Sequence, residues 1–254
     1  MENLSRAIVR RPGPDFAAGI TTAKLGEPDL ARMLRQHAAY VEALRAAGLE
    51  VEVLDALPGF PDAYFVEDVA VVVPELAVVA RPGATSRRGE ADEIVPALSR
   101  HRPVARLEQP ATLDGGDVLI VSRTVFIGIS ARTNEDGARQ LARLLEPHGY
   151  RSRMVPVTSG LHLKSSVSWV GGETLLVSSR FADRPELRPY RHIVVEPPDG
   201  AACNSLLVNG TLLIPAGFPK VRPQLDAAGL PAVELDVSEA RKMDGGLSCM
   251  SLRL

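Results

Sequence analysis

A short order of elements recurs along the chain, and this repetition constrains the fold more than any other feature of the sequence. Each copy reads as an apolar strand, a tight turn, a second apolar strand, a polar loop, a helix and a last strand. The clearest copy has its hairpin at residues 117–128, a helix from Glu135 to Pro147 and a strand from Arg151 to Val157. Asn134 or Thr133 can cap this helix at its N-terminus, which supports the assignment.

Three further hairpins open copies of the same unit, and they lie at residues 69–80, 167–177 and 205–215. The last hairpin turns at Asn209-Gly, a strong signal for a two-residue loop. A helix is predicted near residues 90–100 after the first of these hairpins. After the second hairpin, the helix signal is weak or missing around residues 181–187.

The fifth unit is split between the two ends of the sequence. A strand is predicted from Leu4 to Arg10, an amphipathic helix from Asp29 to Ala47 and a strand from Glu50 to Leu54. The missing hairpin partner is predicted at Cys249-Met-Ser-Leu-Arg-Leu. Five units of about 50 residues are typical of closed radial repeats, and pairing the two ends would leave few exposed sheet edges. The alternative is an ordinary αβ sandwich whose segments resemble one another by accident.

Polar residues stand directly before the first strand of each predicted hairpin. In a ring, these strands begin near the central axis, so the preceding side chains can meet there. The residues are Glu67-Asp68, Asp114-Gly-Gly-Asp117, His162-Leu-Lys-Ser, Cys203-Asn204 and Asp244-Gly-Gly-Leu-Ser-Cys249. Buried unpaired charge is costly, so an axis selected for stability alone would carry small apolar side chains. The pattern therefore indicates a functional centre.

Each of these residues also has a structural interpretation. A free cysteine is usually a small buried hydrophobe, and Cys203, which has no obvious base nearby, fits that description. His162 alone fits a hydrogen-bonded structural role equally well. Glu67 and Asp68 interrupt a buried strand pattern and need a cationic partner. Asp114 and Asp117 fit a turn, or cation binding at the same axis.

Composition excludes several classes of protein. The 254 residues carry a formal net charge of −2, and a pI near 6.2 gives no footprint for nucleic acid or an anionic membrane. No apolar run is long enough to span a bilayer, and the first ten residues lack a secretory signal. Two cysteines are too few for a disulfide framework. We therefore expect one domain, residues 1–254, of a reduced cytoplasmic protein, and the sequence allows a homodimer.

Four motifs resemble dimethylarginine dimethylaminohydrolases. They are Phe65-Val-Glu-Asp, Leu113-Asp-Gly-Gly-Asp-Val-Leu, Gly160-Leu-His-Leu-Lys-Ser and Gly245-Gly-Leu-Ser-Cys-Met-Ser. The resemblance runs from the first strand to the last residue in the same order. That family belongs to the guanidine-modifying superfamily, whose fold is α/β, a five-bladed αβ propeller of the pentein type built from ββαβ units. The resemblance therefore implies this fold for the chain.

The resemblance also implies a site that turns N-omega-methylated arginine into citrulline and a methylamine. It implies Cys249 as nucleophile, His162 as general acid and base, and Asp68 and Asp114 as holders of the guanidinium, with Glu67 beside them. Arg87 and Arg132 look like the pair that grips the substrate α-carboxylate. Asp62, with main-chain atoms of Ile20 and Met243, is similar to the α-amino site. No metal or organic cofactor is expected.

Other functions remain as alternatives at this point. An arginine or small-guanidine deiminase uses the same kinds of residue, but such relatives carry an acid two residues after the histidine, where this chain has Lys164. A non-catalytic propeller that binds a partner should lack the thiol, imidazole and acid set. A zinc hydrolase is disfavoured because no cluster shows the usual ligand spacing. Residues 13–26, with glycines near both ends, predict a mobile loop that can act as a lid.

Overall fold

The computed structural model describes residues 4–254 and contains five three-stranded sheets of one design. In each sheet the central strand pairs antiparallel with its hairpin partner and parallel with the strand that follows the connecting segment. Four sheets are continuous in sequence: β3 (Ala70–Val72), β4 (Ala77–Val79) and β5 (Val104–Arg106); β6 (Val118–Val121), β7 (Thr124–Ile129) and β8 (Arg151–Pro156); β9 (Val167–Gly171), β10 (Thr174–Ser178) and β11 (Arg191–Val195); β12 (Leu206–Val208), β13 (Thr211–Pro215) and β14 (Ala232–Leu235).

The fifth sheet joins the two ends of the chain, as predicted. It consists of β15 (Leu252–Arg253), β1 (Arg6–Arg10) and β2 (Glu50–Leu54), with β1 at its centre. Ala7 lies opposite Arg253 and Ile8 opposite Leu252 in the antiparallel ladder. The ring of five ββαβ units is thus closed, and the predicted five-bladed αβ propeller is confirmed.

The helices connect the second and third strands of their units, except for the last helix, which follows β14 and leads toward β15. They are α1 (Leu30–Ala46), α2 (Glu90–Glu93), α3 (Val95–Ser99), α4 (Glu135–Leu145), α5 (Val221–Ala227) and α6 (Ser238–Lys242). Asp29 caps α1 by accepting a hydrogen bond from the Arg32 amide. Asn134 caps α4 in the same way, whereas the side chain of Thr133 bonds elsewhere. Since a capping oxygen satisfies an otherwise free amide, both caps fix where these helices begin.

Two connecting segments depart from the regular pattern. The single helix predicted near residues 90–100 is two short helices, because the chain changes direction at Ile94 and α3 restarts with Pro96 in its first turn. The connection between β10 and β11 contains turns and no helix among its described residues, which agrees with the weak signal at residues 181–187. No helix among residues 4–254 is both long and apolar enough to cross a membrane.

The apolar core lies between the outer helices and the sheets. Tyr40, Leu44 and Met33 of α1 are fully buried and pack with Ala7 and Val9 of β1. Comparable clusters lie within and between the other units. Burial of a side chain of this size contributes about 1.5–3 kcal/mol to stability, so each helix is held on its sheet mainly by its apolar face.

A one-turn 3-10 helix precedes the first strand of every unit, and these turns place the polar residues at the axis. Their bounds are Val66–Val69, Gly115–Asp117, Leu163–Ser165, Asp199–Cys203 and Ser248–Met250. Neighbouring turns contact one another around the ring. They form a layer across its centre, and side chains leave this layer toward either end of the axis.

Candidate active site

One end of the axis holds a small cavity of about 20 Å³ that collects nearly all the predicted site residues. The predicted residues that line it are Ile20, Asp62, Asp68, Arg87, Arg132, His162, Met243 and Cys249. Asp114 is fully buried directly behind His162 and Arg132. Residues more than 200 positions apart in the sequence are therefore brought together by closure of the ring.

Cys249 lies in the turn Ser248–Met250 and is 8% exposed. Burial, together with the negative charges of Glu67 and Asp68, raises the pKa of the Cys249 thiol to about 12. The thiol is therefore protonated near neutral pH in the ligand-free protein. Because the thiolate is the nucleophilic form, Cys249 is weakly reactive in this state.

His162 lies between two carboxylates. Its Nε2 is 3.0 Å from Oδ2 of Asp114, and its Nδ1 is 3.9 Å from Oδ1 of Asp68. Burial alone would lower the pKa of His162, but Asp68 and the hydrogen bond to Asp114 outweigh it and raise that pKa to about 9. The imidazole is consequently protonated at neutral pH and can donate a proton.

Asp68 is buried and ionised. Its Oδ1 accepts a hydrogen bond from the Gly116 amide at 3.1 Å, and its Oδ2 pairs with Arg87. Burial alone would raise the pKa of Asp68, but the positive charges of His162 and Arg87 have the larger effect, so the pKa of Asp68 is lowered. Gly116 is required at its position because a Cβ there would lie 2.6 Å from His162 Nδ1.

Besides its contact with His162, Asp114 is held by groups from two other parts of the chain, Gly83 and residues 132–133. Its Oδ1 accepts from the Gly83 amide at 2.9 Å, and its own amide donates to the Thr133 hydroxyl. Nη1 of Arg132 lies 3.5 Å from Oδ2.

Asp117, in the same motif, has a structural role instead of the cation-binding role that the sequence allowed. Its carboxylate accepts from the Leu163 amide and from two hydroxyls, of Ser130 and Thr133, and thereby joins two neighbouring units.

The two arginines occupy different environments. Arg87 is 4% exposed and donates to Asp68, to Glu90 and to two main-chain carbonyls. Arg132 is more accessible, and its guanidinium has the single weak contact with Asp114 at 3.5 Å among the described residues. Both line the cavity, but Arg132 has more donors available for a ligand.

The entrance is covered by part of the predicted lid. The Ile20 amide donates to both oxygens of Asp62, at 3.2 and 3.1 Å. The amide and hydroxyl of Thr22 donate to Asp244, a non-glycine residue with a φ of 57°. Burial raises the pKa of Asp62. Residues 20–22, within the segment predicted as a lid, are therefore held at the cavity by polar contacts to residues 62 and 244.

Glu67 is placed differently from the residue beside it. Its carboxylate points away from the cavity, where Oε1 contacts Lys164 Nζ at 2.7 Å and Arg253 Nη2 at 2.6 Å. Its Oε2 accepts from the Ser248 hydroxyl at 2.8 Å. Glu67 therefore lies beside Asp68 in sequence but on the opposite side of the layer of turns. It affects the site through its negative charge, which raises the pKa of Cys249.

Asn204 is a site residue to which sequence analysis gave no role. Its Nδ2 lies 3.7 Å from Cys249 Sγ, and its Oδ1 accepts from the Ser248 amide at 2.9 Å. The signal was its position before a first strand, the same signal that marked the other axial residues. Nothing in the sequence indicated that it contacts the thiol.

The residues could also be considered as a metal site. Among residues 4–254, Asp68, Asp114 and His162 are the group whose donor atoms lie close enough, within 4.8 Å of one another, to hold an ion. Their charges are already balanced by Arg87, Arg132 and the protonated imidazole, so a metal would have to displace existing partners. The arrangement better suits a planar organic cation. Such a ligand has only hydrogen-bond donors, and it donates them to a carboxylate.

Comparison with known proteins agrees with this geometry. A family model described as N,N dimethylarginine dimethylhydrolase, eukaryotic, matches residues 22–181. An N(G),N(G)-dimethylarginine dimethylaminohydrolase of Pseudomonas aeruginosa is 39% identical over 248 residues, which cover 97% of this chain and 98% of that protein. The enzyme of the same description from Streptomyces coelicolor is 39% identical over 252 residues, covering 98% of this chain and 96% of the other.

Solved structures give the same result. DDAH from Pseudomonas aeruginosa, as a cysteine-to-serine mutant in complex with citrulline, superposes with a TM-score of 0.97, 38% identity and full coverage of both chains. The N-terminal domain of ArgZ, an arginine dihydrolase from cyanobacteria, superposes with a TM-score of 0.88 at 20% identity, covering 98% of this chain and 97% of that one. The second likeness shows a shared fold.

Proposed function

The chain belongs to the dimethylarginine dimethylaminohydrolase family, and on that premise we propose that it hydrolyses N-omega-methylated arginine to citrulline and a methylamine through Cys249. The observation that carries the proposal is the meeting of one thiol, one imidazole and the Asp68 carboxylate in a single buried cavity, with Asp114 hydrogen-bonded to the imidazole from behind. The whole ring forms one catalytic domain, because β15 completes the sheet in which β1 is the central strand.

The substrate guanidinium is held by Asp68, whereas Asp114, buried behind His162, orients the imidazole through its hydrogen bond to Nε2. A guanidinium is planar and always charged near neutral pH, so a buried carboxylate fixes its position through charge-assisted hydrogen bonds. Arg87 and Arg132 lie on the entrance side, where the substrate α-carboxylate reaches them. Asp62, with main-chain atoms of Ile20 and Met243, receives the α-amino group.

Entry of this cation activates the nucleophile. The negative field of Glu67 and Asp68 that raises the pKa of Cys249 is offset when a positive guanidinium lies beside the thiol. Cys249 then releases its proton to solvent, because His162 is already protonated, and the thiolate attacks the central guanidinium carbon, forming a C–S bond and a neutral tetrahedral adduct. Without the bound cation the thiolate fraction is small, so the ligand-free enzyme reacts slowly with other electrophiles.

His162 supplies both proton transfers. As the imidazolium it protonates the methylated nitrogen of the adduct, the C–N bond breaks, and the amine leaves a planar thiouronium on Cys249. The neutral imidazole then takes a proton from water as that water attacks the same carbon. Cleavage of the C–S bond returns the thiolate and releases citrulline. Every atom comes from substrate, water and side chains, so the reaction requires no cofactor.

The proposal is tested by incubating the protein with asymmetric dimethylarginine, monomethylarginine and arginine and measuring ureido product. Citrulline from a methylated substrate at a kcat/KM at least about tenfold above that for arginine is expected. A preference for arginine would instead identify a deiminase that shares the cavity. Absence of turnover with all three, in a folded protein, would contradict the proposal and favour a binding role.

A further inference from the structure

A second cavity lies on the other side of the layer of turns, at the end of the axis away from Cys249. It has a volume of about 440 Å³, and we call it the axial cavity. Its walls are the first strands of the five units, with Ile120, Trp169 and Leu207 among its apolar lining. Small-molecule sites typically have volumes of roughly 300–1,000 Å³, so the axial cavity is large enough for a ligand.

The floor of the axial cavity carries two cations against one carboxylate. Lys164 and Arg253 contact the same oxygen, Oε1 of Glu67, and their side chains are 12% and 18% exposed. The other charged lining residue, Arg123, pairs with Glu75. One positive charge on the floor is therefore left without a partner of its own, in surroundings where an unpaired charge is costly.

Lys164 also retains hydrogen-bonding capacity. An ammonium has three N–H donors, and within residues 4–254 Glu67 is the one acceptor in contact with Nζ. Arg253, by contrast, is fixed through Nη1 to the Ser248 carbonyl and to Ser251. The Ser168 hydroxyl, from a residue of the wall, is buried without a hydrogen-bond partner among the described residues. An incoming oxyanion would find a cation, unused donors and an apolar chamber together.

From this we propose that the axial cavity binds a small monocarboxylate with an apolar body, whose carboxylate rests on Lys164 and Arg253. Charge complementarity selects the anion, because the floor repels ammonium groups. The apolar walls select a hydrocarbon or aromatic body over a hydrated inorganic ion. Such a ligand would occupy the ring from the side opposite the substrate and need not compete with it.

Isothermal titration calorimetry with benzoate tests the site, and neutral benzamide is the matched probe. Saturating citrulline is present so that the entrance arginines are occupied. Benzoate is expected to bind with one-to-one stoichiometry, at least tenfold more tightly than benzamide. Lys164→Met should weaken benzoate at least tenfold, whereas Arg132→Met, on the other side of the turns, should leave it unchanged.

A second variant protects the test against misfolding of the first. Ile120→Trp fills the axial cavity but keeps both cations, and it should abolish benzoate binding. Three results would overturn the proposal: no heat with benzoate in the native protein, equal affinity for benzamide, or an affinity that depends on Arg132 and not on Lys164.

Asn204 carries an independent inference that rests on the proposed nucleophile. Its side chain bonds the Ser248 amide through Oδ1 and the Lys164 carbonyl through Nδ2, so it is fixed on both sides. Nδ2 also lies 3.4 Å from the Ser248 hydroxyl and 3.7 Å from Cys249 Sγ. A Cβ at position 246 would lie 2.5 Å from the Asn204 amide carbon, so glycine is required there.

We infer that Asn204 fixes the position of Cys249 and stabilises its thiolate by donating an N–H to sulfur. The test is the rate at which iodoacetamide alkylates Cys249 across pH, in a Cys203→Ser background. The alkylation rate can be measured without turnover, so this experiment separates failure of the inference from failure of the proposed function.

Asn204→Ala should shift the alkylation midpoint to higher pH and slow alkylation at pH 8 at least threefold, with kcat lowered about tenfold or more and KM little changed. Asn204→Asp, which keeps the acceptor for Ser248 and loses the donor, should change alkylation in the same direction. Asn134→Ala removes the cap of α4, makes no contact with the thiol among the described residues, and serves as the matched control. Native alkylation and kcat in folded Asn204→Ala and Asn204→Asp would refute the inference.

Discussion

Nε2 of His162 lies 3.0 Å from Oδ2 of Asp114, and both side chains are almost fully buried. This hydrogen bond is one of the interactions that keep the imidazole protonated up to about pH 9. The acid form of His162 is therefore present below that pH and lost above it. Together with Asp68, Asp114 thus helps to set the pH up to which His162 keeps the proton that the leaving amine needs.

A pH profile checks this relationship. In the native enzyme, kcat/KM should fall as pH rises through about 9, where the imidazolium of His162 is lost. Asp114→Asn removes a negative partner, so this alkaline limb should move toward the ordinary histidine pKa near 6.5. An alkaline limb that stays in place in the folded variant would contradict the assignment.

Replacement of the nucleophile should abolish turnover without unfolding the protein. Cys249→Ser should lose at least about three orders of magnitude in kcat, because an alcohol lacks the acidity of a thiol. Cys203 is also buried but lies in an apolar cluster, so Cys203→Ser should be nearly neutral for catalysis. A citrulline assay on both variants decides between the thiols, and an inactive Cys203 variant would mean that the wrong one was chosen.

Removal of the imidazole should separate the two halves of the reaction. His162→Gly should still permit attack on a substrate with a good leaving group, such as S-methyl-L-thiocitrulline, and then stall because no base activates water. Intact-protein mass spectrometry should show a substrate-derived adduct on Cys249. If no activated substrate forms an adduct, His162 is needed earlier, for the deprotonation of the thiol.

The entrance arginines predict a preference for free amino acids. Agmatine keeps the guanidinium and chain of arginine but has no carboxylate, so its turnover should be lower by roughly 30- to 1000-fold in kcat/KM, or about 2–4 kcal/mol. Arg132→Ala should cause a comparable loss with the amino-acid substrate and leave agmatine at its baseline. Equal turnover of agmatine and the amino acid by the native enzyme would refute the carboxylate contact.

His37 predicts how stability depends on acid. Burial lowers its pKa to about 4, and the unfolded chain has an ordinary histidine pKa near 6.5. The unfolded state therefore binds the proton more tightly, so the free energy of unfolding should fall as pH drops from about 6.5 toward 4, by at most about 3 kcal/mol from this group. Urea unfolding of the native protein and His37→Leu should show a shallower acid dependence in the variant; parallel curves would exclude His37 as a source.

The sequence predicted the ring because its units depend on local patterns, and it predicted the chemistry through the resemblance of four short motifs to a known family. Apolar alternation and turn residues reveal each hairpin, and the short motifs with Asp68, His162 and Cys249 lie at hairpin starts. What the sequence could not predict are relationships set by the assembled ring. The hydrogen bond between His162 and Asp114 and the contact of Asn204 with sulfur depend on how the turns face one another.

Two pairs of neighbouring residues face opposite ends of the axis, and this limits which substitutions the protein can tolerate. Glu67 and Asp68 face different ends of the axis, as do Ser248 and Cys249. Each pair shares one peptide bond, so the partition between the two chambers is a single layer of backbone. Replacing Glu67 or Ser248 removes contacts that hold the same stretch of backbone as Asp68 or Cys249. We therefore expect these two residues, although they do not line the cavity that holds Cys249, to tolerate little replacement.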